Sequence, residues 1–263
     1  VKQFFIFLLL LPTIVFAQRK SFHLGVSGAA NVSFILNQNN FGTLAPFGQQ
    51  VVRQSELAYL FTGGGTAGVN FGYFFDDKWG LEMHALYLRA GQHYEDDMAG
   101  PATIPQGTFG TKGNGRVKVK RSIDFNYIQI PILAKFTYGD ELAKFYAALG
   151  PSISALVSGK EKVSIAGYDY IDSKNNFTFD EKFRKYDFGI ALNLGVDIWF
   201  GKNLFLNIGL HSYCSILDIN GNKMREVDWY SKNDLTYQKS YNFYTGLNVG
   251  IHYVFVKRKL NQF

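Results

Sequence analysis

Beyond residue 20, apolar side chains recur at every second position, and the runs are long. Tyr241, Phe243, Leu247, Val249, Ile251, Tyr253 and Phe255 share one parity, broken only by Thr245. Asn242, Tyr244, Gly246, Asn248, Gly250 and His252 take the other. Between 186 and 200 the pattern repeats: Tyr186, Phe188, Ile190, Leu192, Leu194, Val196, Ile198 and Phe200 against Asp187, Gly189, Ala191, Asn193, Gly195, Asp197 and Trp199. Period two is the signature of a strand, because successive Cβ atoms point to opposite faces of a sheet. Both runs exceed the ~5–6 residues usual for a globular strand.

The same reading predicts eight strands, at about 20–34, 65–75, 79–94, 117–138, 143–158, 184–200, 203–218 and 240–256. Their connections alternate. Asp76-Asp77-Lys78, Gly139-Asp140-Glu141-Leu142 and Gly201-Lys202-Asn203 are short, whereas 35–64, 95–116, 159–183 and 219–239 are long. An even strand number with short turns at one end and long loops at the other predicts an all-β, eight-stranded antiparallel up-and-down transmembrane β-barrel. Closure satisfies the edges that eight long strands would otherwise expose. A soluble barrel would turn its apolar face inward and carry Lys and Glu outside. Here the face opposite the aliphatic one carries Gly, Ala, Asn, Ser, Asp and His, which suits a crowded lumen.

The aromatics sort to strand ends. Tyr73, Phe75, Trp79, Tyr138, Phe145, Phe200 and Phe255 lie beside the short turns or the C-terminal end, and Tyr87, Tyr186, Phe188, Tyr241 and Phe243 near the long loops. Two such girdles belong at the two interfaces of a membrane barrel. Turn lengths also predict registers. A hairpin centred on Lys202 puts Phe200 opposite Leu204, Asp197 opposite Asn207 and Asn193 opposite His211. One centred on Asp77 puts Phe75 opposite Trp79, Gly72 opposite Glu82 and Asn70 opposite His84.

Composition narrows the function classes. A single cysteine, Cys214, excludes an intramolecular disulfide framework and zinc sites built on paired Cys. No stretch of ~18 apolar residues follows Ala17, so no transmembrane helix is expected. Lys2, the apolar run from Phe4 to Leu11 and the small residue Ala17 describe a secretory signal peptide over residues 1–17, with Val15 and Ala17 before the cleavage point. Residues 18–263 then form the barrel with four long extracellular loops. The net charge of +6 invites a nucleic-acid reading. Export argues against it, and Lys112, Arg116, Lys118, Lys120 and Arg121 gather in one stretch, Met98–Ser122, that holds no acid. No nucleic acid is expected as partner.

One segment carries a family resemblance. Tyr127-Ile128-Gln129-Ile130-Pro131-Ile132-Leu133-Ala134-Lys135-Phe136 resembles a strand of the PorT-like outer-membrane β-barrel family of Bacteroidota. In that family an acid often stands where Gln129 stands here. Ala148-Leu149-Gly150-Pro151-Ser152 resembles the family's following Gly-Pro element, and Glu82 looks like its third-strand acid. The resemblance implies localisation in the cell outer membrane and, through the family's namesake, a link to protein secretion by the type IX system. The last strand is also similar to the signal read by the barrel-assembly machinery, with Asn248, Gly250, Tyr253 and Phe255 in the expected order. The tail Val256–Phe263 departs from a strictly terminal signal.

Candidate chemistry is sparse. His211 and Ser212 are adjacent in a strand and point to opposite faces. Neither a G-x-S-x-G elbow nor an H-E-x-x-H motif occurs. No enzyme activity, cofactor or metal is expected. Glu82, His84, Lys135, Asp187, Asp197, His211 and His252 form a candidate lumen cluster, either structural or an ion path, with Lys135 paired to Glu82 on neighbouring strands. Pro131, mid-strand, implies a bulge or a local break. Glu95-Asp96-Asp97 is a weak cation candidate. Arg116, Lys118, Lys120 and Arg121 are placed to meet lipopolysaccharide phosphates. The function expected is a small outer-membrane barrel with a plugged lumen, a structural or interaction protein with an unknown protein partner. A lipid-acting enzyme and a narrow channel are the alternatives.

Overall fold

The structure, a computed structural model, describes residues 21–37, 58–99, 116–165, 168–170, 178–225 and 239–255. Residues 1–17, expected to be a signal peptide, Lys112 and the tail Val256–Phe263 lie outside them. Ten strands form one sheet: β1 (Ser21–Leu36), β2 (Ala58–Leu60), β3 (Gly63–Phe74), β4 (Trp79–Ala99), β5 (Arg116–Gly139), β6 (Ala143–Ile165), β7 (Tyr168–Tyr170), β8 (Tyr186–Phe200), β9 (Leu204–Ser215) and β10 (Tyr241–Phe255). Among the described residues, two single-turn helices, α1 (Phe179–Lys182) and α2 (Asn222–Arg225), lie between β7 and β8 and between β9 and β10. Eight of the strands pair antiparallel in the ring β1–β3–β4–β5–β6–β8–β9–β10. The ring closes where β1 pairs β10, from Phe22 opposite Phe255 to Leu36 opposite Tyr241.

The short turns set the expected registers. Gly72 faces Glu82 and Asn70 faces His84, and the Phe75 N–H donates to the Trp79 carbonyl at 2.8 Å. Asp76 Oδ1 fixes that turn by accepting the N–H groups of Lys78 and Trp79, each at 2.7 Å. Across the β8–β9 turn, Phe200 faces Leu204, Asp197 faces Asn207 and Asn193 faces His211. Gly201 there takes φ +75°, a left-handed conformation that favours glycine.

Structure appears where loops were expected. The β4–β5 hairpin runs on to Ala99 opposite Arg116, and β6 to Ile165, while β2 continues the line of β3 along β4 and β7 folds back on β6. Past the apolar band the outer face meets water, so alternation fades on that side although the ladder continues, while Gln92, Tyr94, Arg121, Ile123 and Phe125 stay buried inside. Pro131 causes a local break without a shift. The β4–β5 ladder lapses at the Pro131 and Ile130 positions and resumes in the same register at Gln129 opposite Leu86. The register shift lies elsewhere in β5, between Asn126 and Tyr127. There Val157 of β6 is the extra residue, and beyond it the even-numbered residues Ser158, Lys160 and Lys162 are exposed.

The polarity of this barrel is inverted relative to a soluble one. Leu24, Val26, Met83, Ile128, Ile132, Leu149, Ile153, Leu194, Val249 and Ile251 are exposed, whereas Glu82, Lys135, Asp187 and Asp197 are buried. The outer apolar face runs from Trp79 to Tyr87 on β4 and from Ile128 to Tyr138 on β5. That matches the ~9–11 residues a tilted strand needs to cross a bilayer core. Trp79, Tyr138, Phe145, Phe200 and Phe255 are exposed at the short-turn end, and Tyr87 and Tyr186 at the other. These are the two girdles.

A second set of aromatics lies inside, among the small and polar residues expected there. Tyr127, Tyr146, Tyr213 and Tyr244 are buried in the interior. Interior glycines make the room. A Cβ on Gly209 would strike the Tyr146 hydroxyl and the Leu194 carbonyl, and one on Gly195 would meet the same hydroxyl at 2.7 Å. Gly209→Val is therefore expected to destabilise the folded barrel by roughly 1–3 kcal/mol through overpacking. Urea titration of the wild type and variant in lipid vesicles, read by tryptophan fluorescence, measures it.

Candidate functional site

The interior is built in tiers, each the product of the two-residue period. At the short-turn end Phe74, Phe205, Val254 and Trp199 pack together. The His23 ring stacks on Phe74 at 4.8 Å and the His252 ring on Phe205 at 4.5 Å. The two imidazoles meet at 3.2 Å between their Nδ1 atoms.

Lys135 dominates the next tier. It projects from β5 with none of its surface exposed. Its Nζ lies 2.9 Å from Glu82 Oε1 on β4 and 2.7 Å from Asp197 Oδ2 on β8. The Tyr146 ring lies 4.5 Å from the same ammonium. Glu82 also meets His84 Nε2 at 3.2 Å and His23 Nε2 at 3.5 Å. Asp197 Oδ1 accepts Asn207 Nδ2 at 2.7 Å, and Asn207 Oδ1 accepts Asn248 Nδ2 at 2.9 Å and the Tyr146 hydroxyl at 3.2 Å. One cation thus joins two carboxylates from strands that do not pair with each other. Buried charges demand such partners, because an unpaired one costs several kcal/mol.

Above this tier Asp187 accepts the Ser215 hydroxyl and, at 3.0 Å, Asn242 Nδ2, which also reaches the Tyr127 hydroxyl at 3.1 Å. The Tyr244 hydroxyl donates to Gln129 Oε1 and lies 3.0 Å from His211 Nε2. His211 Nδ1 contacts the Asn193 side chain. The seven lumen candidates therefore divide. Glu82, His84, Lys135 and Asp197 share one network, His252 joins it through His23, and Asp187 and His211 occupy the tier above.

The top tier lies beyond the apolar band; Arg121 and Phe125 fall in an expected strand, whereas Glu161, Phe179, Lys182 and Phe183 fall in an expected loop. Arg121 is 2 % exposed and turns inward, its Nη2 2.6 Å and its Nε 2.8 Å from Glu161 Oε1. Lys182 of α1 holds the other oxygen at 2.7 Å. Burial alone would raise the Glu161 carboxyl, but Arg121 and Lys182 hold it below the ordinary carboxylate range. Beside this triad, Phe183 meets Phe125 edge to face at 4.9 Å and Phe179 meets it at 5.5 Å. Main-chain bonds from Arg184 to Ile219 and from Gly221 to Lys182 tie this segment to the one after β9.

The basic run is corrected accordingly. Arg121 is committed to the interior and is no lipopolysaccharide contact. Lys120 faces outward but pairs with Glu95 Oε2 at 3.0 Å. Lys118 stands at the register position of Asp97, and Arg116 at that of Ala99. The acidic tripeptide thus lies alongside the basic run. Asn248, Gly250, Tyr253 and Phe255 sit on the closing strand β10, with Tyr253 and Phe255 exposed on the outer face. His211 and Ser212 point apart, and Ser212 Oγ bonds Thr245 Oγ1 at 2.8 Å on the outer side.

The candidate cluster left out His23, Tyr146, Asn207, Gln129 and Tyr244, although Asn207 was placed opposite Asp197 and Tyr244 on the inward parity. Alternation alone holds the signal for His23, which lies between the outward Phe22 and Leu24. For Arg121 the signal was the odd-numbered series Arg121, Ile123, Phe125 and Tyr127, all buried.

The sequence matches the model of the family described as outer membrane protein beta-barrel domain over residues 16–221. Among solved structures, the Neisserial surface protein A barrel is similar at 14% identity and a TM-score of 0.42, over 90% of this chain and 99% of that one. OprG from Pseudomonas aeruginosa is similar at 15% identity and a TM-score of 0.42, over 90% and 97%. Outer membrane protein W of E. coli is similar at 14% identity and a TM-score of 0.32, over 89% and 98%. No curated protein matches the chain.

Lys135→Met strands two buried carboxylates and is expected to cost about 3–5 kcal/mol. Adding Glu82→Gln and Asp197→Asn to it is expected to restore most of that loss, as read by urea unfolding in vesicles. A depressed carboxyl stabilises fully above its unfolded value, near 4.5, and loses that contribution as pH falls through the folded one. Hydrogen-exchange protection at α1, with rates corrected for the intrinsic pH dependence of amide exchange, should therefore fall below about pH 4.5 in the wild type, and fall less steeply there in Glu161→Gln.

Proposed function

The chain belongs to the outer membrane protein beta-barrel domain family, and from that premise we propose that it is a closed barrel serving as a structural or interaction protein of the outer membrane. The observation that carries the reading is Lys135, whose ammonium bridges Glu82 on β4 and Asp197 on β8 across the interior. An eight-stranded barrel is just wide enough for its side chains to fill. Ionic and aromatic tiers stacked above one another leave the lumen to those side chains, and the exposed ends to partners.

Finer assignments belong to this proposal. Residues 1–17 direct export, and the short turns face the periplasm, as is usual for bacterial barrels. Membership of the PorT-like branch of Bacteroidota rests on the segments Tyr127–Phe136 and Ala148–Ser152, and participation in secretion follows from that branch by analogy alone. The reading assigns no catalytic role, since His211 is bonded to interior partners and Ser212 to Thr245 on the opposite face.

Planar-bilayer recording tests the closed lumen: insertion of the full chain is expected to give no steady current, and a stable ion-selective step would replace this reading with the narrow channel. Orientation has its own test. In a Cys214→Ser background, Lys160→Cys is expected to react with a membrane-impermeant maleimide on intact cells.

A further inference from the structure

Asp187 differs from the other interior carboxylates described above. Glu82 and Asp197 share Lys135, and Glu161 holds Arg121 and Lys182. Asp187 is as deeply buried, at 2 % exposure, yet no lysine, arginine or histidine among the described residues pairs with it. Its neighbours are neutral: the Ser215 hydroxyl, the Asn242 amide, the Phe188 N–H and the Tyr213 hydroxyl. An ionised carboxylate withdrawn from water must be paired or bound to a metal ion, or else it takes up a proton. Oxygen atoms converge on this one. Ser154 of β6 faces Asp187 of β8 in the ladder register, and Ser215 arrives from β9. The Tyr213 hydroxyl is directed at Asp187, Ser215 and Ser154 together. Gly189 admits that ring, since a Cβ there would lie 2.7 Å from it. Ser154 Oγ and the Tyr213 hydroxyl are both buried, and neither completes a hydrogen bond.

We propose that Asp187, Ser154, Tyr213 and Ser215 form a binding site for one small monovalent cation of the sodium or potassium class. A proton would neutralise Asp187 but would leave the Ser154 and Tyr213 hydroxyls without a partner. A cation among the four oxygens answers all of them at once, because a hydroxyl that donates its proton keeps lone pairs to offer. Charge selects the class. One carboxylate balances one positive charge, whereas calcium takes roughly six to eight oxygens and would leave an excess charge buried. Among the described residues no three His, Cys, Asp or Glu side chains gather to hold a metal, so a transition metal lacks its usual donors. Access is short. Asp187 is the second residue of β8, beside the exposed Tyr186 at the long-loop end, so a cation entering there need not pass the Lys135 tier. The site goes beyond the closed-barrel reading and requires neither an open lumen nor a given orientation in the membrane.

The test is urea unfolding of the full chain in neutral-lipid vesicles, with choline chloride replaced stepwise by sodium or potassium chloride at constant ionic strength. Choline carries the same charge but is too large to sit among four oxygens. For a site half-filled at about 10 mM, raising the alkali cation from about 1 to about 100 mM is expected to lower the unfolding equilibrium constant about tenfold. Asp187→Asn is expected to show no alkali effect. Tyr213→Phe removes one oxygen and is expected to shift the midpoint of the effect to higher concentration, which keeps the site testable should Asp187→Asn not fold. Equal behaviour in choline and in both alkali salts, as a proton on Asp187 or water among the hydroxyls would give, overturns the site. So does an undiminished alkali effect in either folded variant.

Discussion

A strand inside a bilayer has no water to receive its backbone N–H and C=O groups, so every one of them must find another strand. The pairing of β1 with β10 meets that demand at the seam, from Phe22 opposite Phe255 to Leu36 opposite Tyr241. Everything else follows from a closed ring. Closure leaves one face to lipid and one to a narrow interior, and the two-residue period assigns each side chain to one or the other. It also explains why Pro131 is tolerated. The ladder lapses there on the β4 side and resumes in register, because the neighbouring pairs hold the strands in place.

The closed ring creates a second constraint inside. Polar side chains turned away from lipid are also turned away from bulk water, and each must find its partner within the barrel. Lys135 meets this demand by joining carboxylates from β4 and β8 while lying against the Tyr146 ring. The glycines at 195 and 209 belong to the same arrangement, since their missing Cβ atoms admit Tyr146. Beyond the membrane the Arg121–Glu161–Lys182 triad repeats the device, with two cations on one carboxylate. There the consequence is docking of α1 over the end of the barrel, beside Phe125 and Phe183.

Much of the barrel was legible in the sequence because membrane strands are constrained on both faces. Strand number, the three short turns, the registers around Lys202 and Asp77, and both girdles could be read from parity and turn residues. Lys135 and Glu82 could be placed on neighbouring strands. Legibility failed where the constraint relaxed. Above the apolar band neither face must be apolar, and so β4 and β6 run on past their expected ends and α1 and α2 appear within expected loops. Arg121 was misassigned for a related reason: a run of charges was read as one patch, although adjacent residues in a strand point opposite ways.

What the sequence determined by itself was inside and outside. The alternation of Leu, Ile, Val and aromatics with Gly, Asn, Asp and His is a local property, repeated strand after strand. Only the tertiary structure decided which interior groups meet. Asp197 reaches Lys135, Asp187 reaches Asn242 and Tyr244 reaches Gln129 across the barrel, between residues far apart in the chain. The physical reason is that the tilt and stagger of eight strands set the height at which each side chain arrives. Those two quantities belong to the closed ring as a whole and to no single strand.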